Sequence, residues 1–137
     1  MRSTAQQYFP NEIGGICLGS YSYFGTEEAN ITEILVPQYS TSSNSLFTRK
    51  VRGINKTIKR RYCASNGNVI YLGEWHSHPF GSSEYSELDR RSIKAIAENK
   101  HVAIFHPILC IMHHSNPKWT ESFYVFYEGE LHKYETV

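Results

Sequence analysis

Apolar positions recur with a period of two in several short runs of the chain, and these runs predict strands. Val, Ile, Tyr and Phe are frequent in them, as is typical of buried strands. Six strands are predicted, over residues 14–21, 31–36, 68–73, 101–113, 119–127 and 131–134, and Pro107 splits the fourth into residues 101–105 and 108–113. Residues 25–30 and 65–68 are predicted turns, and residues 38–45, which are rich in Ser, Thr and Asn, are predicted to form a loop.

Apolar residues spaced three or four apart predict two helices between the strands. The first helix covers residues 48–62, and the second begins after Ser86. Residues 4–9 fit the last turns of a further helix that is closed by Pro10. The order β-β-α-β-α-β-β-β that follows this segment predicts an α/β (α+β) domain with helices flanking a curved sheet.

The predicted helix over residues 48–62 separates apolar from basic side chains. Its apolar stripe consists of Val51, Ile54, Ile58 and Tyr62. The other face holds seven of the fourteen basic residues of the chain, which are Arg49, Lys50, Arg52, Lys56, Lys59, Arg60 and Arg61. A solvated helix face and a docking surface for an acidic partner both explain this pattern. Nucleic acid is disfavoured because no aromatic residues are interleaved with the charges.

Length and composition fit one globular domain over residues 1–137, with 40% hydrophobic and 20% charged residues. The formal net charge of +1 gives no general attraction to nucleic acid or anionic membranes. No apolar run approaches the ~20 residues of a membrane span, and the N-terminus lacks the apolar core of a signal peptide. The three cysteines form no CxxC motif. These features predict a reduced, cytoplasmic protein without a membrane partner.

Two histidines follow the strand over residues 68–73, and an acidic residue follows them on the next helix. Because alternate strand residues point to the same face, His76 and His78 should direct their rings into one space. Asp89 lies in the first turn of the helix that Ser86 opens, where it can lean over the end of the strand. Two imidazoles and one carboxylate leave the fourth position of a tetrahedral zinc open to water, as in catalytic zinc sites.

Other interpretations of the same residues remain open. Histidines near a strand end are often packed or solvated, and Ser86 with Asp89 also fits a capping pair. Glu74 lies two residues before His76, so it shares the ligand face. It fits a partner that orients an imidazole, a general base, or a charge that reaches solvent or an arginine. Ser77 faces the other way and is predicted to hydrogen-bond within the sheet.

The spacing His-Ser-His, seven residues, Ser, two residues, Asp resembles the motif of the JAMM (Mov34/MPN/JAB) metallopeptidases. The upstream segment Glu12-Ile13-Gly14-Gly15-Ile16-Cys17-Leu18-Gly19 resembles the acidic residue and Gly-Gly strand of that family. The resemblance implies a cytidine-deaminase-like fold with a curved mixed sheet. It also implies one zinc ion per chain on His76, His78 and Asp89. In the same way it assigns Glu12 as general base and Ser86 as the residue that steadies the oxyanion.

The resemblance also implies a substrate class. JAMM enzymes are typically isopeptidases that remove ubiquitin or ubiquitin-like proteins from lysines, or process the C-terminal tails of such proteins. The phrase Tyr71-Leu72-Gly73-Glu74-Trp75-His76-Ser77-His78-Pro79 is most similar to the deconjugating peptidases of bacterial CBASS antiphage operons. In those operons the conjugated protein is a cGAS-like nucleotidyltransferase. The loop over residues 38–45 and the basic helix are the segments expected to touch the substrate.

Two alternatives to this isopeptidase remain. One is a peptidase of the same chemistry that processes a sulfur-carrier-type tail or a small amino-acid conjugate. The other is a non-catalytic MPN scaffold, which is disfavoured because inactive members of the family generally lose ligands. The eleven residues before Glu12 are fewer than the strand and helix that usually open a JAMM domain, so the sequence leaves open whether an N-terminal element is missing.

Overall fold

The computed structural model describes residues 1–22, 25–37 and 51–135. Three helices lie within these ranges: α1 (Arg2–Tyr8), α2 (Val51–Ala64) and α3 (Glu87–Glu98). Six strands accompany them: β1 (Gly14–Ser22), β2 (Gly25–Leu35), β3 (Ile70–His78), β4 (Ile108–Ser115), β5 (Lys118–Tyr127) and β6 (Glu130–Lys133). None of the helices in these parts of the chain is long and apolar enough to cross a membrane.

The six strands form one mixed sheet in the order β2-β1-β3-β4-β5-β6. β3 and β4 pair in parallel, whereas the other neighbours are antiparallel. A parallel pair needs a crossover connection, and α3 provides it between β3 and β4. The predicted α/β fold with helices and a curved mixed sheet is confirmed.

The side chains of β4 alternate between two hydrophobic cores. Ile108, Cys110 and Met112 pack in a cluster that includes Ala5 of α1. Leu109 and Ile111 pack in a second cluster with Ile93 of α3. Because neighbouring strand residues point to opposite faces, α1 covers one face of the sheet and α3 covers the other.

The predicted turn over residues 25–30 is wrong, because this segment is the first half of β2. Asn30 pairs with Ser20 and Ala29 with Tyr21 across the β1–β2 ladder. The polar composition of the segment disfavours a strand, but pairing with β1 supplies its backbone hydrogen bonds and outweighs that weak preference. β-bulges in this ladder break the simple alternation that the sequence pattern relied on.

The predicted strand over residues 101–105 is also wrong. These residues form turns and irregular structure, and Val102 and Phe105 are 40% and 76% exposed. Pro107 has no backbone N–H to donate, so the ladder of β4 begins only at Ile108. Ile104 is buried at 8% exposure, but the segment lies outside the sheet, so its apolar composition does not mark a strand.

The predicted basic helix corresponds, within the described residues, to α2. Lys56, Lys59 and Arg60 are exposed on it, and the Arg61 guanidinium pairs with Glu33 of β2 at 2.7 Å. Tyr62, predicted on the apolar stripe, is instead 50% exposed. It lies two residues before the end of α2. Residues 38–50, including the predicted substrate loop, lie outside the described residues.

β1 and β3 are joined closely near the end of β3. A Cβ added to Gly14 would lie 2.6 Å from the Trp75 carbonyl oxygen, so only glycine permits this approach. One residue earlier, the Ile13 N–H donates to the Ser77 hydroxyl at 2.9 Å, and the Ser77 N–H donates to the Ile13 carbonyl at 2.8 Å. Ser77 is fully buried, which confirms its predicted role in the sheet.

Ser77→Ala is expected to lower the free energy of unfolding by about 1–3 kcal/mol, because it leaves the buried Ile13 N–H without an acceptor. Urea unfolding of the metal-free protein measures this change. Ser92→Ala, on the exposed side of α3, is the control and should change stability by less than about 0.5 kcal/mol. Equal stability of the two variants would contradict the role given to Ser77.

Candidate metal centre

The two predicted histidine ligands lie at the C-terminal end of β3, on the face that α3 covers. His76 is the parallel partner of Ile111, which packs in the core beside α3. His78 follows two residues later on the same face, and the two ring centroids are 4.8 Å apart. Sequence alternation predicted this shared orientation, and the structure confirms it.

Asp89 is held over these rings by the N-terminus of α3. Ser86 is the N-cap, and its side-chain oxygen accepts from the Asp89 N–H at 3.2 Å. The Ser86 N–H and hydroxyl both donate to Asp89 Oδ2 at 2.7 Å. The capping pair that the sequence left open therefore exists. It fixes one carboxylate oxygen and leaves the other directed at the histidines.

Three donor atoms converge at this point. His76 Nε2 lies 3.0 Å from His78 Nε2 and 3.2 Å from Asp89 Oδ1, and His78 Nε2 lies 3.9 Å from Asp89 Oδ2. Tetrahedral zinc with bonds of ~2.0–2.1 Å separates its ligand atoms by roughly 3.3 Å. With one atom taken from each residue, the ligand atoms all lie within 4.8 Å of one another, so the three side chains are close enough to converge on one small divalent cation. Within the described ranges, this is the cluster of metal-binding side chains that the structure shows.

The hydrogen bonding of His78 favours metal binding. Its Nδ1 lies 2.9 Å from the Ser82 carbonyl oxygen. Since a carbonyl can only accept, Nδ1 carries the proton and Nε2 offers its lone pair to the cluster. A Cβ added to Gly81 would lie 3.2 Å from His78 Cβ, so the segment 79–82 folds tightly against this ring. Sequence analysis missed Gly81 and Ser82 because a backbone carbonyl and a missing side chain leave no pattern.

The charge on Asp89 is favoured despite its partial burial. Desolvation opposes the charged form, but the His76 imidazole and the Ser86 donors outweigh it and hold the pKa of the Asp89 carboxyl well below its usual range. The side chain is 13% exposed. A carboxylate that stays ionised at every physiological pH is an oxygen ligand available to a cation.

Glu12 lies immediately before β1, and its side chain is exposed. Gly14 pairs with His76, and the Ile13–Ser77 hydrogen bonds continue this register by one residue. The same register, continued by one more residue, would bring Glu12 opposite His78. Among the described residues the Glu12 carboxylate makes no hydrogen bond or ion pair, so the structure shows no polar contact between it and the cluster.

Glu74 shares the face of His76 but is buried in the sheet. The Tyr71 hydroxyl donates to its Oε1 at 3.4 Å. Burial raises the pKa of Glu74 to about 8, and the Tyr71 hydrogen bond offsets only part of this effect. The interpretation of Glu74 as a charge reaching solvent or an arginine is therefore wrong, because strand alternation cannot reveal how deeply a side chain is covered.

The fold and the cluster define a class: an α/β domain whose two histidines and one aspartate are arranged to bind a divalent cation. The chain belongs to the prokaryotic JAB family, since the family described as "Prokaryotic homologs of the JAB domain" matches residues 1–125. The resemblance seen in the sequence motif is confirmed by this match.

Three curated relatives are named as isopeptidases or as a metalloprotease. A CD-NTase/cGAS isopeptidase of Enterobacter hormaechei is 35% identical over 102 residues, covering 74% of this chain and 55% of the relative. A CD-NTase/cGAS isopeptidase of Pseudomonas aeruginosa is 38% identical over 80 residues, covering 58% and 49%. A probable metalloprotease, y4qB, of Sinorhizobium fredii is 26% identical over 125 residues, covering 87% and 73%. The chain spans about half the length of the two isopeptidases.

Two solved structures share the fold. Protein DSY2949 from Desulfitobacterium hafniense superposes with a TM-score of 0.67 at 20% identity, covering 98% of this chain and 83% of that protein. A protein from Salinibacter ruber superposes with a TM-score of 0.52 at 15% identity, covering 97% and 80%. At these identities the two likenesses support the architecture alone.

The raised pKa of Glu74 predicts a pH-dependent stability. Between pH 4.5, its ordinary pKa, and about pH 8, the folded protein binds more protons at this position than the unfolded chain. The free energy of unfolding should therefore fall as pH rises through this window. The loss is at most about 1.4 kcal/mol for each unit by which the pKa in the folded protein exceeds that in the unfolded chain. Glu74→Gln, which keeps an oxygen acceptor for Tyr71, should remove this part of the pH dependence.

Urea unfolding of the metal-free proteins at pH 5 and pH 8 tests this prediction. Glu98→Gln, at an exposed position of α3, is the control and should retain the wild-type pH dependence. The same loss of stability in Glu74→Gln as in the wild type would show that Glu74 is ionised in the folded protein.

Proposed function

We propose that this chain is a zinc-dependent isopeptidase that hydrolyses the amide bond after the C-terminal tail of a conjugated protein. The observation that carries the proposal is the convergence of the His76, His78 and Asp89 donor atoms, which lie within 4.8 Å of one another. Membership of the prokaryotic JAB family and the names of the curated relatives support it. Three protein ligands are the number that catalytic zinc sites use, since the fourth position must stay open.

His76, His78 and Asp89 would hold the zinc, one ion per chain. When bound there, zinc supplies a Lewis acid and makes water a competent nucleophile near neutral pH. The Ser82 carbonyl keeps His78 in the required tautomer, and the Ser86 cap keeps Asp89 Oδ1 directed at the rings. The cluster is therefore organised by the protein before the cation arrives, which lowers the cost of binding it.

Glu12 is the proposed general base. Support for this role comes from the β1–β3 ladder: residues opposite each other in an antiparallel pair point to the same face, and one more step of the register beyond Ile13–Ser77 would pair His78 with Glu12. Its exposure and lack of partners leave it able to accept a proton from water and return it to the leaving amine. Glu74 is a weaker candidate, because it is buried in the sheet, where the Tyr71 hydroxyl donates to its carboxylate.

Ser86 is proposed to act on the oxyanion that develops on the scissile carbonyl. In the present structure its hydroxyl proton is directed at Asp89 Oδ2. The Ser86 N–H donates to the same oxygen, so Asp89 keeps a partner when the hydroxyl rotates towards the substrate. The backbone donor thus frees the side chain for a hydrogen bond to the developing negative charge.

The proposed substrate is a CD-NTase, or cGAS-like nucleotidyltransferase, attached to another protein through its C-terminus. Two curated relatives bear the name of an isopeptidase for this class of protein. This assignment also agrees with the sequence resemblance to the peptidases of CBASS operons. A protein conjugate requires a site at the surface, and the exposed Ser86 and Glu12 at the end of β3 meet that requirement.

Metal analysis tests the ligand assignment. The wild-type protein is expected to bind one zinc ion per chain, and His76→Ala should abolish this binding because only two ligands remain. Asp89→Asn retains an oxygen that can accept from Ser86 but loses the charge. Loss of a residue that only hydrogen-bonds to a metal ligand typically lowers metal affinity by ~10–100-fold. The zinc affinity of Asp89→Asn should fall by more than this, because Asp89 is itself a proposed ligand.

Zinc content by mass spectrometry and affinity by competition with a chelator measure these effects. His101→Ala is the matched control, since His101 is exposed on the segment after α3. Full zinc occupancy in His76→Ala would show that the ion is bound elsewhere, and the ligand assignment would then be wrong.

Glu12→Gln tests the proposed base. The variant should bind zinc normally, whereas hydrolysis of a CD-NTase conjugated to a lysine side chain should slow by ~10²–10⁴-fold, the usual contribution of general acid–base catalysis. Gel analysis of single-turnover cleavage, with zinc content measured on the same samples, separates the two effects. If Glu74→Gln slows cleavage to this extent and Glu12→Gln does not, the base has been assigned to the wrong residue.

A further inference from the structure

Two aromatic side chains, one before β1 and one after β3, form an exposed pair that is here called the aromatic pair. The ring centroids of Phe9 and Phe80 lie 5.6 Å apart, and the ring planes are tilted by 52°. Phe9 is 37% exposed and Phe80 is 79% exposed, the largest exposed fraction among the large hydrophobic residues that the structure describes. Two exposed rings in contact with each other form a small apolar patch, which distinguishes them from a singly exposed hydrophobic residue.

The segment that carries Phe80 is fixed on both sides of it. Pro79 is buried, and Gly81 packs against the His78 side chain. The Ser82 carbonyl accepts from His78 Nδ1 at 2.9 Å. The backbone on both sides of Phe80 is therefore held by contacts that also orient a predicted metal ligand.

The Phe9 ring packs against two aromatic residues of the sheet. Its ring centroid lies 4.9 Å from that of His114 and 6.3 Å from that of Trp119, both on the α1 face of the sheet. Its N–H donates to the Ala5 carbonyl at the end of α1. One ring of the aromatic pair thus rests on the core, and the other projects from the loop after β3.

The aromatic pair is close in sequence to the residues assigned to catalysis. Phe9 precedes Glu12 by three residues and Phe80 follows His78 by two. A peptide that extends from the cluster past the end of β3 would meet the Phe80 ring. The exposed area of the two rings is roughly 200 Å², taking 150–250 Å² for a fully exposed aromatic side chain. That is far below the ~800 Å² per partner of a stable protein interface.

We propose that the aromatic pair binds one apolar side chain of the extended peptide segment that presents the scissile bond, and so selects substrates by sequence. The inference rests on the proposed peptidase function, because it names a feature of the substrate of that same site. An area suited to one side chain favours a peptide over a second copy of the chain. A rigidly presented pair of rings can bind such a side chain at little conformational cost.

Fluorogenic peptides test this inference. Each ends in glycine joined by an amide bond to aminomethylcoumarin and carries Leu, Phe, Ser or Asp at one of the four positions before that glycine. The zinc-loaded wild-type protein should prefer Leu or Phe at one position by about 10-fold or more in kcat/KM. Phe80→Ser should reduce this ratio to less than about threefold, whereas Phe80→Leu should retain most of it.

Phe105 provides a matched control. It is 76% exposed, close to the value for Phe80, and lies before the start of β4, at the end of the β3–β4 pair remote from His78. Phe105→Ser should leave the preference unchanged. A preference that survives in Phe80→Ser, or that is lost equally in Phe105→Ser, would overturn the inference.

Binding of the same peptide series, labelled for fluorescence anisotropy, separates this inference from the proposed function. Binding with a Phe80-dependent apolar preference but without cleavage would support the aromatic pair and contradict the hydrolase. Cleavage without any apolar preference would support the hydrolase and overturn the role of the pair. If no peptide is either bound or cleaved, both assignments fail.

Discussion

The hydrogen bonding of β3 to its two neighbours determines where every candidate functional group lies. Its antiparallel ladder with β1 ends in the Ile13–Ser77 hydrogen bonds and brings the start of β1 to His78. Its parallel ladder with β4 requires the crossover through α3, whose N-terminus carries Asp89. A shift of one residue in either ladder would turn the histidines to the opposite face, away from the aspartate. The buried Ser77 and the close approach at Gly14 resist such a shift.

The carboxylate of Asp89 has two structural tasks that support one another. Oδ2 accepts from Ser86 and completes the cap of α3, and Oδ1 faces the imidazole of His76. A free aspartate would have several rotamers to lose on binding a cation, but the cap has already selected one. The helix start therefore stabilises the ligand geometry, and capping and ligation are not competing explanations of the same sequence motif.

Much of this arrangement could be predicted from the sequence, because the signals are local. Strand alternation correctly placed His76 and His78 on one face and Ser77 on the other, and the Ser86–Asp89 spacing correctly marked the start of a helix. Features that depend on tertiary contacts could not be predicted. Residues 25–30 are a strand only because β1 pairs with them, and residues 101–105 are apolar without being buried in the sheet. The depth of Glu74, the carbonyl of Ser82 on His78 and the exposure of Phe80 are likewise invisible to periodicity.

The central claim is that two imidazoles and one carboxylate bind a zinc ion and leave one position to solvent. X-ray absorption at the zinc edge, on the protein loaded with one equivalent of zinc, measures this coordination directly. The account predicts four nitrogen and oxygen neighbours at ~2.0–2.1 Å, with the scattering signature of two imidazole rings. A sulfur neighbour at ~2.3 Å, or a shell without two imidazoles, would contradict it.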